Sequence, residues 1–131
     1  MTHILIVDDE KSLCQMLEIA FRKEGISVET VSSGKAALAK IESQVYDLII
    51  SDIRMPDLTG IEVLERAKQM RNPGAFILIT AVPTVSTAIQ ALNLGAYRYV
   101  VKTDKLVDEL KFVVKQALEE LALRERKTVH Q

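Results

Sequence analysis

His3-Ile4-Leu5-Ile6-Val7-Asp8-Asp9 and Leu48-Ile49-Ile50-Ser51-Asp52 are short, continuous apolar runs that close on carboxylates. Runs of this length without polar alternation read as strands buried on both faces, as in the interior of a parallel sheet. Two further runs end in complementary groups: Phe76-Ile77-Leu78-Ile79 leads to the hydroxyl of Thr80, and Tyr99-Val100-Val101 to the ammonium of Lys102. If these strands are parallel neighbours, Asp8, Asp9, Asp52, Thr80 and Lys102 meet at one edge of the sheet. Three carboxylates there repel one another unless a hard divalent cation lies between them. Carboxylates, hydroxyl and lysine together suit phosphoryl chemistry.

Working outward, the apolar periodicity switches five times between short runs and helical spacing, the signature of an α/β fold with a doubly wound five-stranded parallel sheet. The spacing predicts a first helix over about 11–24, with Leu13, Met16, Leu17, Ala20 and Phe21 inward and Gly25 ending it. A second, about 34–43, is capped by Ser32 or Ser33 and turns Ala37, Leu38 and Ile41 inward. The loop Met55-Pro56-Asp57-Leu58-Thr59-Gly60 precedes a third helix with Ile61, Val63, Leu64, Ala67 and Met70 inside, followed by a turn at Asn72-Pro73-Gly74. The fourth, about 84–94, is entered through Pro83 in its first turn and ended by Gly95; the fifth covers about 105–126. Strand order 2-1-3-4-5, flavodoxin-like (βα)5, makes strands 1, 3, 4 and 5 contiguous and puts their carboxyl ends beside the topological switch point, where open sheets bind ligands. The edge strand, ending in Val31-Ser32-Ser33, contributes no comparable group.

The last helix carries two apolar stripes, Leu106, Leu110, Val113 and Ala117 and then Val107, Val114, Leu118 and Leu121, ahead of charged Arg124-Glu125-Arg126-Lys127. A single broad face over the sheet edge, a two-helix homodimer contact and a lead into a missing domain all fit this pattern. The expected division is a domain over 1–122 and, over 123–131, the end of an extended helix or the start of a linker to an output domain. At 131 residues, with 48% hydrophobic and 27% charged, the chain reads as one globular domain. Seventeen basic against 18 acidic residues provide no basic field for direct nucleic-acid binding. A lone cysteine, Cys14, excludes a disulfide framework and is expected as a small core residue. With no signal-peptide pattern and no apolar run near the ~20 residues a membrane span needs, a cytoplasmic location is expected.

Four motifs resemble those of the receiver domain of bacterial two-component response regulators: Ile6-Val7-Asp8-Asp9-Glu10, Asp52-Ile53-Arg54-Met55-Pro56-Asp57-Leu58-Thr59-Gly60, Ile79-Thr80-Ala81, and Gly95-Ala96-Tyr97-Arg98-Tyr99-Val100-Val101-Lys102. The resemblance covers about residues 3–122. It implies that Asp52 is the phosphoacceptor for a sensor histidine kinase. It implies also that Asp9, Asp52 and the backbone carbonyl of Arg54 ligate Mg2+, with Asp8 acting through water. Lys102 and Thr80 would each meet a phosphoryl oxygen, Ala81 would leave the group room, and Tyr99 would turn inward with Thr80 as the switch. The domain would then be a signalling module with slow self-dephosphorylation rather than an enzyme. Similarity around the third strand and the lysine leans toward the receivers of enhancer-binding transcriptional activators. Thr103 departs from the family, which usually has a proline after the lysine, commonly in cis; a cis bond before a non-proline costs ~2.5–4 kcal/mol, so trans is expected here. Two rival readings are a haloacid-dehalogenase-like phosphohydrolase with Asp8 as nucleophile, disfavoured by Glu10 where that family has Asp, and a phosphorylation-independent interaction domain, favoured only by an incomplete site.

Overall fold

The computed structural model describes residues 1–70 and 74–129, with side chains through 125. Five strands, β1 (His3–Val7), β2 (Ser27–Val31), β3 (Leu48–Asp52), β4 (Ala75–Thr80) and β5 (Arg98–Val101), alternate with five helices, α1 (Lys11–Arg22), α2 (Gly34–Ser43), α3 (Gly60–Gln69), α4 (Val85–Asn93) and α5 (Leu106–Val129). The strands form one parallel sheet in the expected order β2-β1-β3-β4-β5. The pleat sends alternate residues to opposite faces. Ile4 and Ile6 pack with Leu17, Phe21 and Leu110 of α1 and α5, whereas Leu5 and Val7 pack with Ala37, Val63 and Ala91 of α2, α3 and α4. Both faces of the central strands are therefore covered, which is why they read as unbroken apolar runs.

Backbone chemistry explains where the helices stop. Gly25 and Gly95 adopt φ of 78° and 79°, a conformation that costs a side-chain-bearing residue. After α4, Gly95 N–H donates to Leu92 O and Ala96 N–H to Ala91 O; after α1, Gly25 N–H donates to Arg22 O and Ile26 N–H to Phe21 O. Both are the paired bonds by which a left-handed residue satisfies a helix's last carbonyls. Thr59 and Glu62 form a reciprocal cap on α3, and Ser33, not Ser32, caps α2 through the Ala36 amide.

Several local expectations are corrected. Met16 is 52% exposed, and its inward place on α1 is taken by buried Cys14. Met70 follows α3 as its cap and is exposed, because the helix ends at Gln69. Pro83 precedes the cap residue Thr84 and so lies outside α4 rather than in its first turn. Three of the four residues in the second stripe of α5 join the core: Val114 is buried there, and Val107 and Leu118 pack against the same cluster, while Leu121 is part-exposed. The α5 surface that stays exposed presents Phe112 and Leu123 instead. The turn expected at Asn72-Pro73-Gly74 lies, apart from Gly74, outside the described residues. Every described peptide bond is trans, including Lys102–Thr103.

Candidate functional site

The ladder continues one bond past three strands, and those bonds hold the site. Asp8 N–H donates to Val31 O, Ile53 N–H to Ile79 O and Lys102 N–H to Thr80 O, at 3.1, 3.0 and 2.8 Å. Asp8, Asp52, Thr80 and Lys102 thus emerge at one level along the sheet edge. Asp8, Asp52 and Thr80 are buried, an uncommon state for carboxylates without partners.

The partner of the two carboxylates is Lys102. Its Nζ lies 2.8 Å from Asp8 Oδ2, 3.0 Å from Asp52 Oδ2 and 3.6 Å from Glu10 Oε1. One ammonium therefore answers two buried carboxylates and one exposed one. The bond to Asp52 has hydrogen-bond geometry, whereas Asp8 Oδ2 is held by charge alone and accepts no hydrogen bond. The other carboxylate oxygens are fixed by backbone: Asp8 Oδ1 accepts the Glu10 N–H at 2.9 Å, and Asp52 Oδ1 accepts the Arg54 N–H at 3.3 Å. Thr80 Oγ1 accepts the Val82 N–H at 3.1 Å.

Burial is the largest influence on Asp52 and pushes its carboxyl up; the hydrogen bond from Lys102 opposes this and the charge of Asp8 adds to it, leaving a net rise. Repulsion from Asp8 therefore acts on Asp52 in the expected direction, with desolvation the greater cause. Burial pulls Lys102 down, but its ion pairs with Asp8 and Asp52 outweigh this and the net is upward. Cys14, whose Sγ donates to Asp8 O at 3.4 Å, is pushed up to about 11, chiefly by burial, which disfavours the reactive thiolate.

Oxygen atoms of Asp8, Asp9 and Asp52 lie within 4.8 Å of one another. Asp8 and Asp52 are buried, Asp9 exposed. An all-carboxylate set, with one buried oxygen lacking a hydrogen-bond donor, fits a hard cation that takes oxygen ligands and keeps some of its water. Tyr99, half-buried, lies on the neighbouring strand: its hydroxyl is 2.8 Å from Thr87 Oγ1 and accepts the Thr84 N–H at 3.3 Å.

The structure thus brings together every residue expected at the sheet edge. Sequence reasoning missed Glu10, whose approach to Lys102 depends on how the chain turns after β1, and Asp57, whose partners are more than 20 residues away. Both stand inside motifs quoted from the sequence, but those motifs say nothing of the contacts the two residues make.

The family model described as "Response regulator receiver domain" matches residues 4–114. Regulatory protein AtoC of Escherichia coli (strain K12) is 39% identical over 116 residues, 88% of this chain but 25% of that protein. Transcriptional regulatory protein ZraR of the same organism is 38% identical over 106 residues, covering 78% of this chain and 24% of its own length. The chain thus spans about a quarter of these relatives. Among solved structures, response regulator protein TrrA from Thermotoga maritima, in complex with Mg(2+)-BeF, superposes with a TM-score of 0.79 at 36% identity, covering 89% of this chain and 99% of that one. Among the described residues no helix is long and apolar enough to cross a membrane.

Proposed function

Because the chain belongs to the response regulator receiver domain family, we propose that Asp52 accepts a phosphoryl group from a phosphohistidine of a sensor kinase and that the resulting acyl phosphate switches an output, most simply transcription. The observation that carries this is the placement of Asp52 Oδ2 3.0 Å from Lys102 Nζ, inside the cluster with Asp8 and Asp9.

In the transfer, an Asp52 carboxylate oxygen forms the bond to phosphorus as the P–N bond breaks and its electron pair returns to the imidazole. An ionised carboxylate needs no base for this. Asp8, Asp9, Asp52 and the Arg54 carbonyl would hold Mg2+, which when bound neutralises charge on the phosphoryl oxygens. Lys102, already beside Asp52, meets a phosphoryl oxygen as a point charge. Thr80 exchanges its bond from the Val82 amide for donation to another. Tyr99 responds from the adjacent strand, and its bonds to Thr84 and Thr87 carry that response to the start of α4. This is a population shift between two arrangements rather than a new fold. The exposed apolar residues Val85, Ile89 and Leu92 of α4 and Phe112 of α5 then belong to the surface read by the output domain or by a second copy. Val107, Val114 and Leu118 of α5 serve the core, so self-association through α5 would use its remaining surface.

Incubation with acetyl phosphate and Mg2+, followed by mapping of the adduct by mass spectrometry, tests the reading. Modification is expected on Asp52 alone and absent from Asp52→Ala. An adduct on Asp8 would transfer the case to the phosphohydrolase reading.

A further inference from the structure

The loop leaving Asp52 is pinned at both ends and at its apex. Its ends meet where Gly60 N–H donates to Ile53 O at 2.8 Å, and a side chain at Gly60 would collide with the Asp52 carbonyl oxygen. Its apex is fastened to a different element. Asp57 Oδ1 accepts the Gly34 N–H at 3.0 Å and Oδ2 accepts the Lys35 N–H at 2.8 Å. These are the first two amides of α2, which no residue of that helix satisfies, and the helix's own cap, Ser33, takes only the third, from Ala36 at 3.1 Å. Beside this clasp Leu58 lies against Gly34, where an added Cβ would come within 2.6 Å of the Leu58 Cβ. The amides hold the exposed Asp57 carboxyl down at about 2, so it is ionised at any working pH.

Only Ile53-Arg54-Met55-Pro56 separate Asp52 from Asp57, and Pro56 removes one backbone freedom from that short span. Arg54 sits in its middle with its N–H on Asp52 Oδ1. A shift at Asp57 therefore passes directly into the backbone that orients the phosphoacceptor.

We propose that Asp57 is a positioning residue for phosphotransfer: by clasping the leading amides of α2 it sets the path of the 53–59 loop and hence the placement of the Arg54 backbone against Asp52. The inference rests on the phosphotransfer reading, and it makes the N-terminus of α2 part of the site's scaffold. Ser33 is the internal control, because its side chain caps the same helix through the Ala36 amide.

Asp57→Ala, Asp57→Asn and Ser33→Ala are compared with wild type for Mg2+ affinity by calorimetry and for initial phosphorylation rate with acetyl phosphate, at a temperature where circular dichroism shows all four folded. Loss of a group that orients a metal ligand typically weakens metal binding 10–100-fold, so Asp57→Ala is expected to raise the Mg2+ Kd and lower the phosphorylation rate by about tenfold. Asp57→Asn, retaining one acceptor, falls between, and Ser33→Ala stays near wild type in both while losing thermal stability. Asp57→Ala matching Ser33→Ala in both readouts would overturn the proposal. If wild type itself takes up neither Mg2+ nor phosphoryl, the phosphotransfer reading fails instead. Amide hydrogen exchange across 53–60 then decides the clasp: faster in Asp57→Ala than in Ser33→Ala supports it, and equal rates refute it.

Discussion

Lys102 Nζ lies between two buried carboxylates, 2.8 Å from one and 3.0 Å from the other, so a single positive charge offsets two negative ones in a poorly solvated place. Removing either sign has opposite consequences. Asp52 has its carboxyl raised, so the folded chain keeps that proton to higher pH than the unfolded chain does. Its contribution is most favourable at low pH and declines as pH rises from the ordinary carboxylate value through the folded one, because burial disfavours the charged form. Asp52→Asn is therefore expected to raise the melting temperature of the metal-free protein at pH 7 and to flatten stability between the two carboxyl pKa values. Lys102→Ala leaves both carboxylates uncompensated and is expected to cost about 3 kcal/mol. The Lys102 contribution, from a raised ammonium pKa, persists through neutral pH and is lost only as pH climbs through its folded value. Paired thermal melts from pH 4 to 8 check the Asp52 sign and melts carried above the ordinary lysine value check that of Lys102; a drop in melting temperature for Asp52→Asn at pH 7 would show that the ion pair outweighs desolvation.

The fourth and fifth helices are held by different means. α4 has one buried residue, Ala91, and its first turn depends on the Thr84 cap and the Tyr99 hydroxyl. Tyr99→Phe keeps the ring but removes both hydroxyl bonds, worth about 1 kcal/mol each at most. Faster amide exchange in the first turn of α4, with the rest of the sheet unchanged, is expected; unchanged exchange would mean that the cap alone secures the helix. α5 is 24 residues long, about 36 Å at 1.5 Å per residue, and anchors through one wide face. Leu118 belongs to the margin of that face. Leu118→Glu is accordingly expected to lower the melting temperature while leaving the sedimentation coefficient unchanged; dissociation of a dimer without loss of stability would restore the separate second stripe.

At the scale of the molecule, a ligand that binds only the folded chain stabilises it by mass action, by about 2.7 kcal/mol at 100 times its Kd. Mg2+ is expected to raise the melting temperature of wild type, to do so less in Asp52→Asn, and to exceed Na+ at equal ionic strength; equal effects of the two cations would reduce the cluster to a screened acidic patch. The alternation of strands and helices and the placing of Asp8, Asp9, Asp52, Thr80 and Lys102 at strand ends were legible in the chain because both follow from local periodicity, whereas their meeting rests on the strand order. Buried parallel strands require unbroken apolar runs, helices require their own spacing and caps, and parallel order sends every strand's carboxyl end to the same edge. What the tertiary structure alone decided depends on which surfaces meet. Val114 and Leu118 look like a free stripe until β5 and α1 are placed beside α5. Met16 has the apolar character of a core residue, and only packing says that it is left exposed while Cys14 is covered. The clasp of Asp57 on Gly34 and Lys35 joins residues 23 and 22 positions apart through bonds made by backbone amides. Backbone amides are identical in every residue, so no side-chain pattern announces their partner, and that contact exists only once the chain has folded.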